Sequence, residues 1–101
     1  MTEEEARWLA EDFVRNNPTF AFDGMEDSLH LMKILYADIA ETWTFVFHFV
    51  CRQAGYGDRT GQMLAQVLSP HEAVVTVEHG KVKSALMDSE WDMINRQLVE
   101  R

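Results

Sequence analysis

The sequence predicts an α+β fold, in which an N-terminal helix packs on a curled four-stranded antiparallel sheet and a short C-terminal helix follows. Three patterns support this prediction. Residues 43–52 are rich in aromatic and β-branched side chains and contain no Gly or Pro, which is typical of a central strand. Residues 2–14 carry an apolar stripe at helical spacing, and residues 73–86 alternate around a His79-Gly80 turn.

The central strand has two different faces, because successive side chains of a strand point to opposite sides of the sheet. One face is aromatic and needs a covering layer, which we expect the helix to provide. The other face is half polar and suits water, a ligand or another chain. The aromatic face carries Trp43, Phe45, Phe47, Phe49 and Cys51, and the other carries Thr44, Val46, His48, Val50 and Arg52.

The N-terminal helix has clear start and stop signals. Thr2 and Glu5 have the spacing of a capping box, and the early glutamates suit the positive end of the helix dipole. Pro18 disfavours helical geometry in the residue before it, so the helix is expected to end at residues 16–17. Residues 19–24 are then expected to form a short extended segment or turn.

Residues 28–40 are ambiguous between helix and strand. Met32, Leu35, Tyr36 and Ile39 have helical spacing. A sheet built around the aromatic strand nevertheless needs an antiparallel neighbour, and residues 37–42 have about the length of a hairpin connection. Periodicity alone indicates a helix, whereas the need for a paired neighbour favours a strand, so both alternatives remain open.

The second half of the chain is expected to contain a long loop, a hairpin and a helix. Residues 54–69 hold three glycines and exceed the usual hairpin connection, and long loops in small domains are often functional. The hairpin around His79-Gly80 follows. Ser89 and Asp92 then predict the capped start of a final helix, whose Trp91, Ile94 and Leu98 are expected to return to the core.

This order of elements resembles the cystatin-like rolls, and among them the PepSY-type domains, in which a helix precedes a small sheet. A second resemblance rests on residues 52–62, on Pro70-His71 and on Trp91-Asp92-Met93, and it covers most of the chain. These residues resemble a group of small uncharacterised proteins found mainly in methanogenic archaea. That resemblance implies a strand at residues 28–36 and no known activity. Cysteines at the turn of some relatives have no counterpart in residues 37–42 here.

Size and charge exclude several classes of protein. The chain of 101 residues is expected to form a single domain spanning residues 1–101. Its net charge of −8 disfavours binding to nucleic acids or acidic membranes. No apolar run reaches the length of about 18 residues that a membrane helix needs, and from the acidic Glu3-Glu4-Glu5 we expect no secretion signal in this sequence. Because Cys51 is alone, we expect a reducing, cytoplasmic location.

The candidate binding residues lie mainly in the glycine-rich loop, which lacks the spacing of known phosphate-binding loops. Arg59 is either an anion anchor or a structural pin that holds Asp58, Glu72 or backbone carbonyls. We expect no catalytic residues, because His48 and Cys51 fall on opposite faces of their strand. We expect neither a metal site nor a cofactor. The candidate binding residues are His48, Tyr56, Asp58, Arg59, Thr60 and His71.

Two functions remain open at this stage. The first is a non-enzymatic interaction module that meets an unknown protein partner, or a second copy of itself, through the second sheet face or an edge strand. The second is a small-molecule or anion-binding protein, or a small enzyme, with a pocket between the sheet and the glycine-rich loop. The missing nucleophile–base pair favours the first.

Overall fold

The structure is a computed structural model that describes residues 1–36, 39–63 and 65–100. Two helices come first, and a short 3-10 helix at Glu26–Ser28 leads into the sheet. The helices are α1 (Glu3–Asn16) and α2 (Pro18–Asp23). The strands are β1 (His30–Tyr36), β2 (Thr42–Cys51), β3 (Ser69–Glu78), β4 (Lys81–Met87), β5 (Trp91–Asp92) and β6 (Gln97–Leu98).

The six strands form one antiparallel sheet in which each strand pairs with the next along the chain. The longest pairing joins β2 and β3, with Thr42 opposite Glu78 at one end and Cys51 opposite Ser69 at the other. Bulges interrupt the ladder at Met32 in β1 and at Lys83 in β4. Such bulges increase the local twist of a sheet, so both outer parts of the meander bend.

The core lies between α1 and the aromatic face of β2, as the sequence predicts. Thr2 and Glu5 form the expected capping box at the start of α1. Small side chains on the buried side of α1, Ala6 and Ala10 among them, are fully buried and let the helix approach the sheet closely. The core residues of the sheet with no exposed surface are Phe45, Phe47, Phe49, Cys51, Ala73, Val75, Val77 and Met87.

The predicted four-stranded sheet with a C-terminal helix is wrong, because the sheet has six strands and the last residues form the small hairpin of β5 and β6. The Asp92 carboxylate accepts hydrogen bonds from the backbone N–H groups of Ile94 and Asn95, at 2.9 and 3.0 Å. Asp favours such turns as strongly as it favours helix starts. Ile94 and Leu98 are exposed rather than returned to the core.

Two further segments bear on the predictions: residues 18–23, which were expected to form a turn, and residues 30–36, which were ambiguous between helix and strand. Residues 18–23 form α2 instead of a turn, because Pro18 occupies the first helical position, where its fixed φ is favourable. Phe20 of α2 packs edge-on against Phe49, at 5.3 Å between ring centres. In the segment that was ambiguous between helix and strand, residues 30–36 form strand β1, although periodicity alone indicated a helix. The connection expected at residues 37–42 includes residues 37 and 38, which lie outside the described residues.

Both helices pack on the aromatic side, and we call the opposite side the open face. Among its described residues only Val46 is buried, and the other side chains are partly or fully exposed. No helix in the described parts of the chain is long and apolar enough to cross a membrane. The open face consists of His30, Lys33, Leu35, Thr44, Val46, His48, Val50, Glu72, Val74, Thr76, Glu78, Ser84, Leu86 and Asp92.

Candidate functional site

Arg59 holds the glycine-rich loop from inside. Its side chain is 1% exposed, forms an ion pair with Asp23 of α2 at 2.8 Å, and lies over the ring of Phe22 at 4.7 Å. The guanidinium also donates to five backbone carbonyls at 2.7–3.3 Å, those of Thr19, Gln53, Ala54, Gly55 and Gly57. Each nitrogen of the guanidinium therefore has a protein acceptor, and Arg59 faces no ligand.

The loop can wrap around Arg59 because Gly55 allows a close approach. Gly55 has φ +102, and a Cβ atom there would lie 3.1 Å from Cδ of Arg59. A residue with a side chain would therefore have a strained backbone at this position, and its Cβ atom would crowd the arginine. On the other side of the loop, the backbone N–H of Gly57 donates to the buried hydroxyl of Thr19 at 2.8 Å. The loop is thus fastened to α2 at both Arg59 and Gly57.

Next to this anchored loop lies a polar cluster of three side chains. His71 Nδ1 is 2.6 Å from Asp88 Oδ2, and the Tyr56 hydroxyl donates to the same oxygen at 3.0 Å. Tyr56 also donates to Glu90 at 3.2 Å. The second Asp88 oxygen accepts from the backbone N–H of Glu72 at 2.8 Å. We call Tyr56, His71 and Asp88 the polar cluster.

Hydrogen bonding sets the ionisation of the polar cluster. Burial raises the pKa of Asp88, but the bonds from His71 and from the Glu72 backbone outweigh it and lower the pKa below its ordinary value. Burial and then the hydrogen bond to Asp88 raise the pKa of Tyr56. Asp88 is therefore an acceptor held ionised, and Tyr56 is a neutral donor.

The histidine of the polar cluster is buried. His71 is 6% exposed, and its Nε2 has no hydrogen-bond partner in the described structure. Its ring lies 5.3 Å from that of Phe49 and 5.5 Å from that of Tyr56, measured between centres. Cys51 supplies no nucleophile, because burial and the neighbouring charge of Asp23 raise the pKa of its thiol to about 12.

A pocket of about 370 Å³ opens beside the loop. Tyr56 and Trp91 form part of its wall, and their rings are stacked with centres 5.3 Å apart at an angle of 10°. Arg96, an exposed residue with φ 55, lines the same pocket from the turn between β5 and β6. The lining residues are Pro18, Tyr56, Gly57, Asp58, Gln62, Trp91 and Arg96.

The six predicted binding residues lie in separate parts of the structure. Tyr56 and His71 meet in the polar cluster. Arg59 is buried behind the loop, and His48 lies on the open face, across the sheet from His71. Asp58 and Thr60 bond to each other, with Asp58 accepting from the Thr60 hydroxyl at 2.6 Å. The pocket wall includes Asp58 but not Arg59, so these residues do not form one site.

Sequence reasoning missed Asp88, Trp91 and Arg96 as site residues because it predicted a C-terminal helix that begins at Ser89, directly after Asp88. Asp88 and the following Ser89 instead have φ of 54 and 59, which makes a tight turn after β4. Asp tolerates this left-handed geometry better than most residues. The Asp-Ser pair directly after an alternating strand was therefore the signal for a further hairpin.

Comparisons with known proteins identify no relative. A scan against protein-family models gave no match, and searches of curated proteins and of solved structures gave none. Within the described residues, no group of three or more His, Cys, Asp or Glu side chains is arranged to hold a metal ion.

We expect Arg59→Ala to lower the free energy of unfolding by about 3–5 kcal/mol, because Asp23 and five carbonyls would lose a buried charged partner. Urea denaturation followed by circular dichroism measures this change. Arg52→Ala is the matched control, since Arg52 is exposed, and should change stability by less than about 0.5 kcal/mol. A loss below about 1 kcal/mol for Arg59→Ala would contradict its role as the pin.

The lowered pKa of Asp88 predicts a pH-dependent contribution to stability. A carboxyl whose pKa is lower in the folded state stabilises the fold above its unfolded pKa, about 3.9, and loses that effect as pH falls through the folded value. The stability difference between wild type and Asp88→Asn should therefore be full at pH 7 and shrink below about pH 4. Urea titrations across pH 2.5–7 measure it, with Glu72→Gln matching the loss of one negative charge. A difference that stays constant down to pH 2.5 would contradict the assignment.

Proposed function

We propose that this protein is a non-enzymatic interaction module that associates with a second copy of itself through the open face. The observation that carries the proposal is the central row of that face. Across the five strands β1 to β5, consecutive partners in this row are Lys33, Val46, Val74, Leu86 and Asp92. The row is basic at one end, apolar in the middle and acidic at the other end.

Such a row is complementary to itself. When two sheets face each other about a two-fold axis parallel to the strands, the β1 side of one copy lies over the β5 side of the other. Lys33 of each copy then meets Asp92 of the second copy, and Val46 meets Leu86. Backbone hydrogen bonds, first that from Asn95, lower the pKa of Asp92, so its carboxylate is ionised and fits this pairing.

Charge also favours this face over the helical side. The first half of the chain, which contains α1, has a net charge of −7. Two copies that approach through their acidic helices would repel each other. The open face carries three carboxylates, those of Glu72, Glu78 and Asp92, and three lysines, Lys33, Lys81 and Lys83, lie on or beside it. Self-association of an acidic chain is therefore least opposed at the open face.

The open face approaches the size of a standard interface. Four strands of 7 to 10 residues, with the short β5 beside them, give a projected area of roughly 600 Å², since strands lie about 4.8 Å apart. Stable interfaces bury about 800 Å² per partner. A groove of about 400 Å³ on the β4 side adds apolar surface for a partner to bury. Its lining includes Val74, Leu86, Ile94 and Val99. We also propose a reducing, cytoplasmic setting, which the free, buried Cys51 supports.

Sedimentation equilibrium tests self-association. The wild-type chain should sediment at twice its 11.7 kDa mass, and Leu86→Glu should be monomeric because it places a carboxylate in the apolar centre of the interface. The matched control is Trp8→Glu, a change at a 57% exposed side chain on α1, which should leave the dimer intact. Circular dichroism confirms that both variants are folded. A monomeric wild type, or a dimer lost only in Trp8→Glu, would overturn the proposal.

A second candidate function is binding of a small aromatic anion in the pocket beside the loop. The stacked Tyr56–Trp91 pair offers an aromatic wall, and Arg96 offers a guanidinium at the same pocket. Aromatic side chains and Arg are the groups that bind a flat carboxylate through stacking and paired hydrogen bonds. Asp58, whose pKa the Thr60 hydroxyl lowers, opposes ligands of higher negative charge.

Calorimetric titration with benzoate tests this second function. We expect saturable binding that falls at least tenfold in Arg96→Gln and is unchanged in Arg52→Gln, which alters an exposed arginine outside the pocket. Inorganic phosphate, which has no aromatic ring, should bind more weakly than benzoate. No saturable binding of benzoate, or equal binding by Arg96→Gln, would contradict this function.

A further inference from the structure

The open face carries a pair of histidines next to its central row. His30 of β1 and His48 of β2 are direct cross-strand partners, and their ring centres lie 5.8 Å apart at an angle of 41°. His30 is exposed and His48 is half-buried. The other two histidines of the chain, His71 and His79, instead lie beside carboxylates, 2.6 Å from Asp88 and 3.7 Å from Glu41. His30 and His48 therefore present two neighbouring imidazoles to solvent.

The spacing of this pair fits two ligands of one metal ion. An imidazole nitrogen binds Zn²⁺ at about 2.0–2.1 Å, which places each ring centre about 3.2 Å from the metal and two tetrahedral ligands about 5.2 Å apart between ring centres. The observed 5.8 Å differs from this by a small rotation of the exposed His30 ring. Imidazole favours zinc, copper and nickel over magnesium and calcium.

Glu72 extends the same row. It is the cross-strand partner of His48 on β3, so His30, His48 and Glu72 occupy three adjacent positions on one face. Its backbone is held by two hydrogen bonds with Asp88, whereas its side chain is exposed. As the described side chains stand, no three of them surround a metal ion, so Glu72 must rotate to join the pair. An exposed side chain on a fixed backbone can do so without disturbing the fold.

We propose that His30 and His48 form a surface site for a divalent first-row transition metal, with Glu72 as the third ligand and water in the fourth position. Two imidazoles and one carboxylate make a donor set that proteins use for Zn²⁺. All three ligands come from one chain, so the site needs no second copy, although the proposed dimer would cover the same face.

Isothermal titration calorimetry with ZnCl₂ tests the site, using the full chain without a histidine tag after removal of metal with EDTA. We expect one equivalent of Zn²⁺ to bind saturably. Affinity should fall at least tenfold in His30→Asn and in His48→Asn, and severalfold in Glu72→Gln. His79→Asn is the matched control and should bind as the wild type does, although its imidazole is 3.7 Å from Glu41.

The outcomes separate the proposal from its rivals. Binding that survives His30→Asn, an exposed change that leaves the fold intact, would overturn it. Loss of binding in His79→Asn would move the metal to the turn between β3 and β4 and would also overturn it. So would an absence of saturable binding to wild type. Sedimentation in EDTA and in ZnCl₂ shows whether self-association is independent of the metal.

Discussion

The buried contact between Arg59 and Asp23 is the constraint on which the arrangement around the glycine-rich loop depends. A guanidinium with 1% exposure is costly unless it is paired and fully hydrogen-bonded, and here both conditions are met. The acceptors come from α2 and from the loop, so the same side chain joins two segments that are distant in sequence. Tyr56 lies within this fixed loop, and its place in the polar cluster follows from the position of Arg59.

The elements with strong periodicity could be predicted from the sequence. The capping box and stripe of α1, the alternation of β2 and the hairpin of β3 and β4 are each set by local chemistry that a single segment contains. The aromatic face of β2 required a cover, and α1 supplies it. The strand at residues 30–36 was less certain, because its apolar residues also fit a helix and only pairing with β2 decides between them.

The candidate site could not be predicted because its contacts are long-range. Arg59 had Asp58 as its nearest carboxylate in sequence, yet it pairs with Asp23, which α2 places in the core. Because α2 itself was not predicted, Asp23 could not be predicted as the partner of Arg59. Asp88 belongs to a turn where the sequence predicted the start of a helix, and the two-residue strands that follow carry too few side chains to show any period. Short elements are decided by turn chemistry and pairing rather than by pattern.

The two sides of the sheet differ in whether other elements of the chain cover them. The helices α1 and α2 cover the aromatic side. Polar groups on that side bond to one another within the protein, in the Arg59 contacts and in the polar cluster. The middle of the open face carries small and β-branched side chains, such as the hydroxyl pair of Thr44 and Thr76 at 2.9 Å, which pack beside one another without a covering layer. These central side chains let another sheet approach to the usual spacing of about 10 Å. Stability and association therefore depend on different surfaces of one sheet, so a substitution on the open face can alter association while the core remains intact.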